Sequence, residues 1–253
     1  MKTKIHIEAE GGLRKISEKE VIDEYVNIFN NSIDNTQNKL HNFIKYVRRQ
    51  DLTKILARYE IFKRILFVKG SIIECGVFRG SGLMSWALFS DMIEPINLTR
   101  RIYGFDSFEG FPAVDQKDLN QYRDPQRGDL NANVYDELQA IIKTYDKNRF
   151  LDHVDKVKLI KGDATQTIPK FIQENQHLVV SLLFLDFDLY EPTKVALDNF
   201  LPRMPRGAIV AFDELDNPIW PGETRALLDN YGINNFRLER IEFDPYIGFA
   251  VLD

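Results

Sequence analysis

The alternation of strand-like and helix-compatible segments from Gly70 onward is the feature that most limits the fold. Short runs rich in β-branched and aromatic residues occur at SIIEC, RIYGFD, VKLIKGD, VVSLLFLD and GAIVAFD. The stretches between them are long enough for helices, so these strands are expected to be parallel. Two further runs, FRLERIEF and YIGFAVLD, are joined by a short turn region, which predicts an antiparallel pair. The sequence therefore predicts an α/β fold whose mostly parallel sheet ends in an antiparallel hairpin.

The segment that precedes this alternation has helical periodicity. Apolar residues recur at helical spacing in three stretches: Val21, Ile22, Tyr25, Val26 and Phe29, then Leu40, Phe43, Ile44 and Val47, then Leu52, Ile55, Leu56, Tyr59 and Phe62. Such stripes are typical of helices that pack on the main domain or on a second subunit, and a lid over a pocket is the functional alternative. We predict a helical lid or dimerisation extension in residues 1–69 and a main domain in residues 70–253.

The composition narrows the class of protein. At 253 residues with a net charge of −5, the chain is large enough for one α/β domain and lacks the basic surface of a nucleic-acid-binding protein. No apolar run approaches the roughly 20 residues that cross a bilayer, and the opening MKTKIHIEAEGG lacks the apolar core of a signal peptide. The single cysteine, Cys75, cannot form an internal disulfide. These features predict a cytoplasmic protein with no membrane and no nucleic-acid partner.

Acidic residues end the predicted parallel strands or follow them directly. In an open parallel sheet, ligands bind beyond the carboxyl ends of the strands, so acids at these positions face a common crevice. We therefore expect one ligand site at this edge of the sheet. The acids are Glu74, Asp106, Asp163, Asp186 and Asp213.

The glycine-rich turn ECGVFRGSG follows the first of these strands. Gly76 and Gly80 permit a sharp turn and a close approach of backbone to a ligand, and a helix that begins near Gly82 offers free N–H groups. The spacing differs from the G-x-G-x-x-G of a dinucleotide site, and a tight strand-to-helix turn explains the glycines equally well. The carboxylates of Glu74 and Asp106 beside the turn favour a ligand site.

Five ordered motifs resemble a known family. ECGVFRGSG is similar to the first motif of class I S-adenosylmethionine-dependent methyltransferases. GFDSFEGFP, KGDATQTIP, LFLDFDLYEPT and IVAFDEL with PGETRA resemble the macrocin O-methyltransferase group, which methylates sugar hydroxyls. The resemblance covers the chain from Ile72 to the C-terminus. It implies a Rossmann-like class I fold with a seven-stranded sheet, the cofactor S-adenosylmethionine, a small sugar substrate and a homodimer.

The resemblance also implies contacts with the cofactor. Asp106 would accept hydrogen bonds from the ribose and Asp163 from the adenine amino group, since carboxylates accept from hydroxyl and amino donors. The methionine part is expected beside the glycine turn, and the backbone N–H of Ala164 beside a ring nitrogen. The full cofactor-binding set is Glu74, Gly76, Gly80, Asp106, Ser107, Phe108, Asp163, Ala164 and Asp186.

In this group Mg²⁺ is expected on acids at the ends of the fourth and fifth strands. The ligands would be Asp186, Asp213 and Glu214, because Mg²⁺ prefers oxygen ligands, and the ion would orient a sugar diol. Asp186 or Asp188 would accept the hydroxyl proton. The chain departs from the family pattern at Phe187 and Glu214, and a loop acid paired with a base is the alternative role for Glu214.

The sequence leaves alternative functions open. The leading hypothesis is an S-adenosylmethionine-dependent O-methyltransferase that acts on a sugar, either in a nucleotide-sugar or in a glycosylated natural product. A metal-dependent methyltransferase of catechol-like or other small hydroxyl substrates needs the same geometry. A scaffold that binds the cofactor without catalysis is a third reading, which the presence of every expected acid disfavours.

Overall fold

The structure is a computed structural model that describes residues 17–253, with side chains described from residue 20 onward. The opening segment, on which the prediction about a signal peptide depends, lies outside these residues. The chain divides into two compact units, residues 1–54 and 55–253. In the described part of the chain, no helix combines the length and the apolar character that a membrane span requires.

The first unit contains short helical segments. They are α1 (Ser17–Asn31), α2 (Thr36–His41), a 3-10 helix (Phe43–Tyr46) and the start of α3 (Arg49–Arg64). Asn35 caps α2 by accepting the backbone N–H of Asn38 at 2.9 Å. The second periodic stretch is therefore not one helix, because α2 ends at His41 and a tighter 3-10 turn follows.

The second unit is built on a seven-stranded sheet in the order β3-β2-β1-β4-β5-β7-β6. The neighbours among β1 to β5 pair in parallel, whereas β7 pairs antiparallel with both β5 and β6. This confirms the predicted fold class. The run FRLERIEF contributes only two residues of strand, at the edge of the sheet. The strands are β1 (Ser71–Cys75), β2 (Ile102–Asp106), β3 (Val157–Lys161), β4 (Val180–Leu185), β5 (Ile209–Phe212), β6 (Glu239–Arg240) and β7 (Gly248–Val251).

Helices cover both faces of the sheet. Successive residues of a strand point to opposite faces, so Ile72 joins the core on one face and Ile73 the core on the other. The core around Ile72 includes residues of α4 and α5, and the core around Ile73 includes residues of α6, α7 and α8. The remaining helices are α4 (Ser81–Ile93), α5 (Tyr135–Asp146), α6 (Ala164–Glu174), α7 (Tyr190–Phe200) and α8 (Gly222–Asn230).

Helix α3 links the two units in sequence. Its later residues Ala57, Ile61 and Phe62 are fully buried in the core of the second unit. This half of α3 thus belongs to the main fold, although the sequence assigned it to an extension that ends at residue 69. The lid or dimerisation role of that extension stays a prediction.

Candidate active site

The predicted acids lie near or just past the carboxyl ends of strands that meet at one edge of the sheet. The backbone hydrogen bonds of the sheet continue past the strand ends there. The N–H of Asp186 donates to Cys75 at 2.7 Å, and the N–H of Asp213 donates to Leu185 at 2.8 Å. The structure therefore places the residues that follow β1, β4 and β5 side by side.

The glycine turn after β1 packs directly against this edge. Gly76 has a φ of 91°, and a Cβ atom there would lie 1.9 Å from the carbonyl oxygen of Asp186. Gly80 has a φ of 87° and precedes α4, where a Cβ atom would meet Leu138. The need for a sharp, closely packed turn accounts for both glycines. Their contact with the cofactor stays a prediction.

Glu74 lies on β1 just ahead of the turn and is 1% exposed. A Cβ atom on Gly82 would lie 2.1 Å from Glu74 Oε1, so the carboxylate occupies the space that a side chain at position 82 would need. Glu74 Oε2 has no hydrogen-bond partner among residues 17–253. Burial raises the pKa of Glu74 to about 8, and the positive charge of Arg58 opposes this shift.

Arg58 on α3 is a site residue that the sequence analysis missed. Its guanidinium Nη2 lies 3.6 Å from Asp186 Oδ2 and 3.7 Å from Asp213 Oδ1, and its side chain is 7% exposed. The guanidinium carbon also lies 4.8 Å from the centre of the Phe184 ring. Arg58 thus supplies positive charge between two of the predicted catalytic or metal-binding acids. The sequence does contain an indication that Arg58 is unusual, because it follows Ile55 by three residues and therefore lies within an apolar stripe of the predicted helix.

Asp106 at the end of β2 joins two loops. Its Oδ2 accepts the N–H of Phe78 in the glycine turn at 2.7 Å, and its Oδ1 accepts the N–H of Phe108 at 2.6 Å. Burial raises the pKa of Asp106, and these backbone donors oppose the shift. Ser107 Oγ donates to Gly110 at 2.6 Å. The ring of Phe108 is buried against Tyr135, so a position beside the adenosine stays a prediction for this residue.

The end of β3 lies beside the end of β2. The N–H of Gly162 donates to the carbonyl of Asp106 at 2.9 Å. Asp163 caps α6, because its Oδ1 accepts from the backbone N–H of Thr165 at 2.9 Å and from the Thr165 hydroxyl at 2.8 Å. Ala164 is the first residue of α6 and is buried. The structure gives Asp163 a structural role as a cap, and its contact with adenine stays a prediction.

Glu223 on α8 is the second residue that the sequence analysis missed. It is fully buried, and its carboxylate accepts the backbone N–H of Asp188 and that of Glu214, each at 3.3 Å. Burial, followed by the negative charges of Asp188 and Asp213, raises its pKa well above the usual range. Glu223 thereby ties the turn after β4 to the turn after β5. The motif PGETRA contains Glu223, but the motif does not indicate which groups this residue binds.

Two of the three predicted metal ligands lie near the same atom, Arg58 Nη2, and the third has a different hydrogen-bond partner. Asp186 and Asp213 lie close to Arg58, and the carboxylate of Glu214 accepts a hydrogen bond from the Asn217 side chain. Among the described residues, no group of three or more histidine, cysteine, aspartate or glutamate side chains is placed to hold a metal ion. Carboxylate oxygens are the ligands that Mg²⁺ prefers, and the ion stays a prediction from the family resemblance.

The sheet order, the reversed last strands and the glycine turn define a class I methyltransferase fold, Rossmann-like and of the α/β class. The family model described as macrocin-O-methyltransferase (TylF) matches residues 41–236. The chain therefore belongs to the macrocin O-methyltransferase family, as the motifs predicted.

Solved structures and curated proteins agree with this family. The crystal structure of the calicheamicin methyltransferase CalS11 superposes with a TM-score of 0.90 at 33% identity, over 94% of this chain and 93% of that chain. A second CalS11 structure, titled as an apo TDP-rhamnose 3'-O-methyltransferase of calicheamicin biosynthesis, gives a TM-score of 0.81 at 31% identity, over 94% of this chain and 95% of that one.

A curated relative from Streptomyces olivaceus is 8-demethyl-8-(2,3-dimethoxy-alpha-L-rhamnosyl)-tetracenomycin-C 4'-O-methyltransferase. It is 29% identical over 147 residues, which cover 58% of this chain and 53% of the relative. The match thus spans about half the length of this curated relative.

Proposed function

We propose that this chain is an S-adenosylmethionine-dependent O-methyltransferase that methylates a sugar hydroxyl in natural-product biosynthesis. The observation that carries the proposal is the shared edge of the sheet, where the glycine turn with Glu74 and Asp106 packs against the turn of Asp186 and Asp188. A cofactor beside the glycine turn would thereby have its reactive end near carboxylates. The names of the two relatives, one acting on TDP-rhamnose and one on a rhamnosyl group, support a sugar as acceptor.

The proposed chemistry is a direct displacement. When bound, S-adenosylmethionine supplies a methyl group on a positively charged sulfur. The acceptor hydroxyl gives its proton to Asp186 or Asp188 as its oxygen forms the new bond to carbon and the bond from carbon to sulfur breaks. Arg58 lies 3.6 Å from Asp186 and places a positive charge beside this carboxylate. Glu223 accepts the backbone N–H of Asp188 and so holds this turn in place. Direct displacement otherwise depends mainly on the correct positioning of the two reactants.

Magnesium dependence is a finer prediction from the family resemblance. Asp186 and Asp213 lie beside Arg58, and Glu214 accepts a hydrogen bond from Asn217, so these carboxylates have partners within the fold. A homodimer, a cytoplasmic location and a lid formed by residues 1–69 likewise stay predictions.

The proposal is tested by binding and transfer together. Isothermal titration should detect binding of S-adenosylmethionine and S-adenosylhomocysteine, and transfer of labelled methyl groups should be followed with TDP-rhamnose, methyl rhamnoside and catechol. Asp106→Ala should weaken cofactor binding by about 1.5–3 kcal/mol, because charge-assisted hydrogen bonds are lost. Asp136→Ala on the exposed face of α5 is the matched control.

Each result decides between the hypotheses. Transfer to catechol alone would favour the small-hydroxyl alternative, and cofactor binding with no transfer to any acceptor would favour a non-catalytic scaffold. Binding of NAD without binding of either methionine derivative would refute the proposal. Turnover that stops in EDTA and returns with Mg²⁺ would support metal dependence, and full turnover in metal-free EDTA would exclude it.

A further inference from the structure

The loop of residues 107–134 connects β2 to α5 and spans the edge of the sheet that carries the predicted site. It leaves β2 after Asp106, and β2 lies on one side of β1 and β4 in the sheet order. On the other side, in the segment that follows β5, Asn120 Nδ2 of the loop donates to the carbonyl of Ile219 at 3.0 Å. The loop is therefore held on both sides of the two central strands, whose carboxyl ends lie between these points.

Asp118 fixes this loop to the turn that carries the two candidate bases. It is 3% exposed, and its Oδ1 accepts the backbone N–H of Tyr190, the first residue of α7, at 2.7 Å. Its Oδ2 accepts the N–H of Asp115 at 2.9 Å, which completes a capping box around a short 3-10 helix of the loop. One carboxylate oxygen is thus bonded inside the loop, and the other is bonded two residues after Asp188.

The loop and α8 also enclose the side chain of Tyr190, which is 5% exposed. Lys117 Nζ lies 3.9 Å from the centre of the Tyr190 ring, and the same nitrogen pairs with Asp229 on α8 at 2.6 Å. The Tyr190 hydroxyl accepts a hydrogen bond from Asn230 Nδ2 at 3.1 Å. The start of α7 is therefore held through its backbone by Asp118 and through its ring by the neighbouring Lys117.

The turn before Tyr190 has a backbone conformation that requires support. Asp188 has a φ of 62°, in the left-handed region that residues with a side chain rarely adopt, and such a conformation persists only where its surroundings hold it. Helix α8 provides part of this support, because Glu223 accepts the N–H of Asp188 and a Cβ atom on Gly222 would lie 2.4 Å from the carbonyl oxygen of Asp188. The bond to Asp118 is the support that the loop adds.

We propose that Asp118 is a positioning residue, whose bond to Tyr190 keeps the two candidate bases in the geometry that proton transfer requires. The inference rests on the proposed function and extends it, because the same loop begins directly after Asp106, the residue expected to bind the cofactor ribose. The loop thereby connects the cofactor end of the site with the base. Since Asp118 acts through the backbone of the turn, its loss should slow the transfer without weakening the binding of either reactant.

Steady-state kinetics separates this role from a purely structural one. The acceptor is whichever of TDP-rhamnose, methyl rhamnoside and catechol wild type methylates fastest, at a temperature where every variant is folded. Asp118→Ala should lower kcat about tenfold to a hundredfold, with KM for both substrates and the Kd of S-adenosylhomocysteine within about twofold of wild type. Asp118→Asn keeps an acceptor oxygen for the N–H of Tyr190 and should recover most of the loss. Asp124→Ala, an exposed acid of the same loop, is the matched control and should leave kcat unchanged.

Amide hydrogen exchange tests the link between loop and turn without any turnover. The peptide that contains the N–H of Tyr190 should exchange faster in Asp118→Ala than in wild type or Asp124→Ala, because this N–H loses its buried acceptor. Equal exchange in all three proteins would overturn the inference.

The kinetic result can overturn it as well. Wild-type kcat in a folded Asp118→Ala variant, or a loss confined to KM, would reject the positioning role. If Asp118→Ala fails to fold, Asp118→Glu decides, since its carboxylate is displaced by one methylene group, and wild-type kcat there would reject the role. No transfer by wild type to any acceptor would refute the proposed function, and the exchange measurement would still decide whether Asp118 holds the turn.

Discussion

The carboxylate of Glu74 fills the space in front of Gly82, where a Cβ atom would lie 2.1 Å from Glu74 Oε1. Gly82 has no left-handed backbone conformation, so this contact, and not the backbone, requires glycine at position 82. Residues on β1 and on the first turn of α4 are thus matched in size at the proposed cofactor site.

Gly82→Ala should therefore destabilise the fold by about 1–3 kcal/mol, the usual effect of overpacking. Urea denaturation measures the change, with Ser81→Ala on the exposed side of the same turn as control. In a Glu74→Ala background, where the carboxylate is absent, Gly82→Ala should have a smaller effect. An equal effect in both backgrounds would show that Glu74 is not the obstacle.

Removal of Arg58 should leave two acids without their shared cation. Asp213 is 2% exposed, and a buried charge that loses its partner destabilises a protein by about 3–5 kcal/mol. We expect Arg58→Met to lower the free energy of unfolding by this order and to reduce turnover. Arg64→Met, in the exposed part of the same helix, is the control. Equal stability of the two variants would mean that Arg58 does not compensate these acids.

Glu223→Gln should impair turnover more than cofactor affinity. A glutamine offers one acceptor oxygen where the carboxylate offers two, so the N–H of Asp188 or of Glu214 loses its partner. An unsatisfied buried donor costs about 1–3 kcal/mol, here expected in the activation barrier. Steady-state kinetics and titration of S-adenosylhomocysteine measure the two effects, with the exposed Glu174→Gln as control. A change confined to cofactor affinity would contradict this role.

The stability of the ligand-free protein should depend on pH through Glu74. Burial raises its pKa from 4.5 to about 8, so between these values the folded protein keeps a proton that the unfolded chain has released. The contribution of Glu74 to the free energy of unfolding should therefore decrease as the pH rises through this window, and level off above it. Urea denaturation of wild type and Glu74→Gln across the window measures the difference. Parallel profiles of the two proteins would disprove the shift.

Much of the fold and the location of the site could be predicted from the sequence. The strand-like runs at SIIEC and VVSLLFLD are mostly apolar, as expected for strands that helices cover on both faces. The carboxyl ends of parallel strands share one edge, so the alternation alone brought Glu74, Asp106 and Asp186 to one region. The short connection before YIGFAVLD likewise required an antiparallel partner.

Tertiary packing decided which side chains meet at that edge. Arg58 lies more than a hundred residues before Asp186 in the sequence. Only the packing of α3 on the sheet makes it the cation that Asp186 and Asp213 share. Glu223 comes from an ordinary helix, where the sequence pattern does not report its burial. A charged residue acquires its role from the partners and the solvent exclusion around it. Both are long-range properties of the folded chain, whereas strand and helix periodicity is local and is written in the sequence.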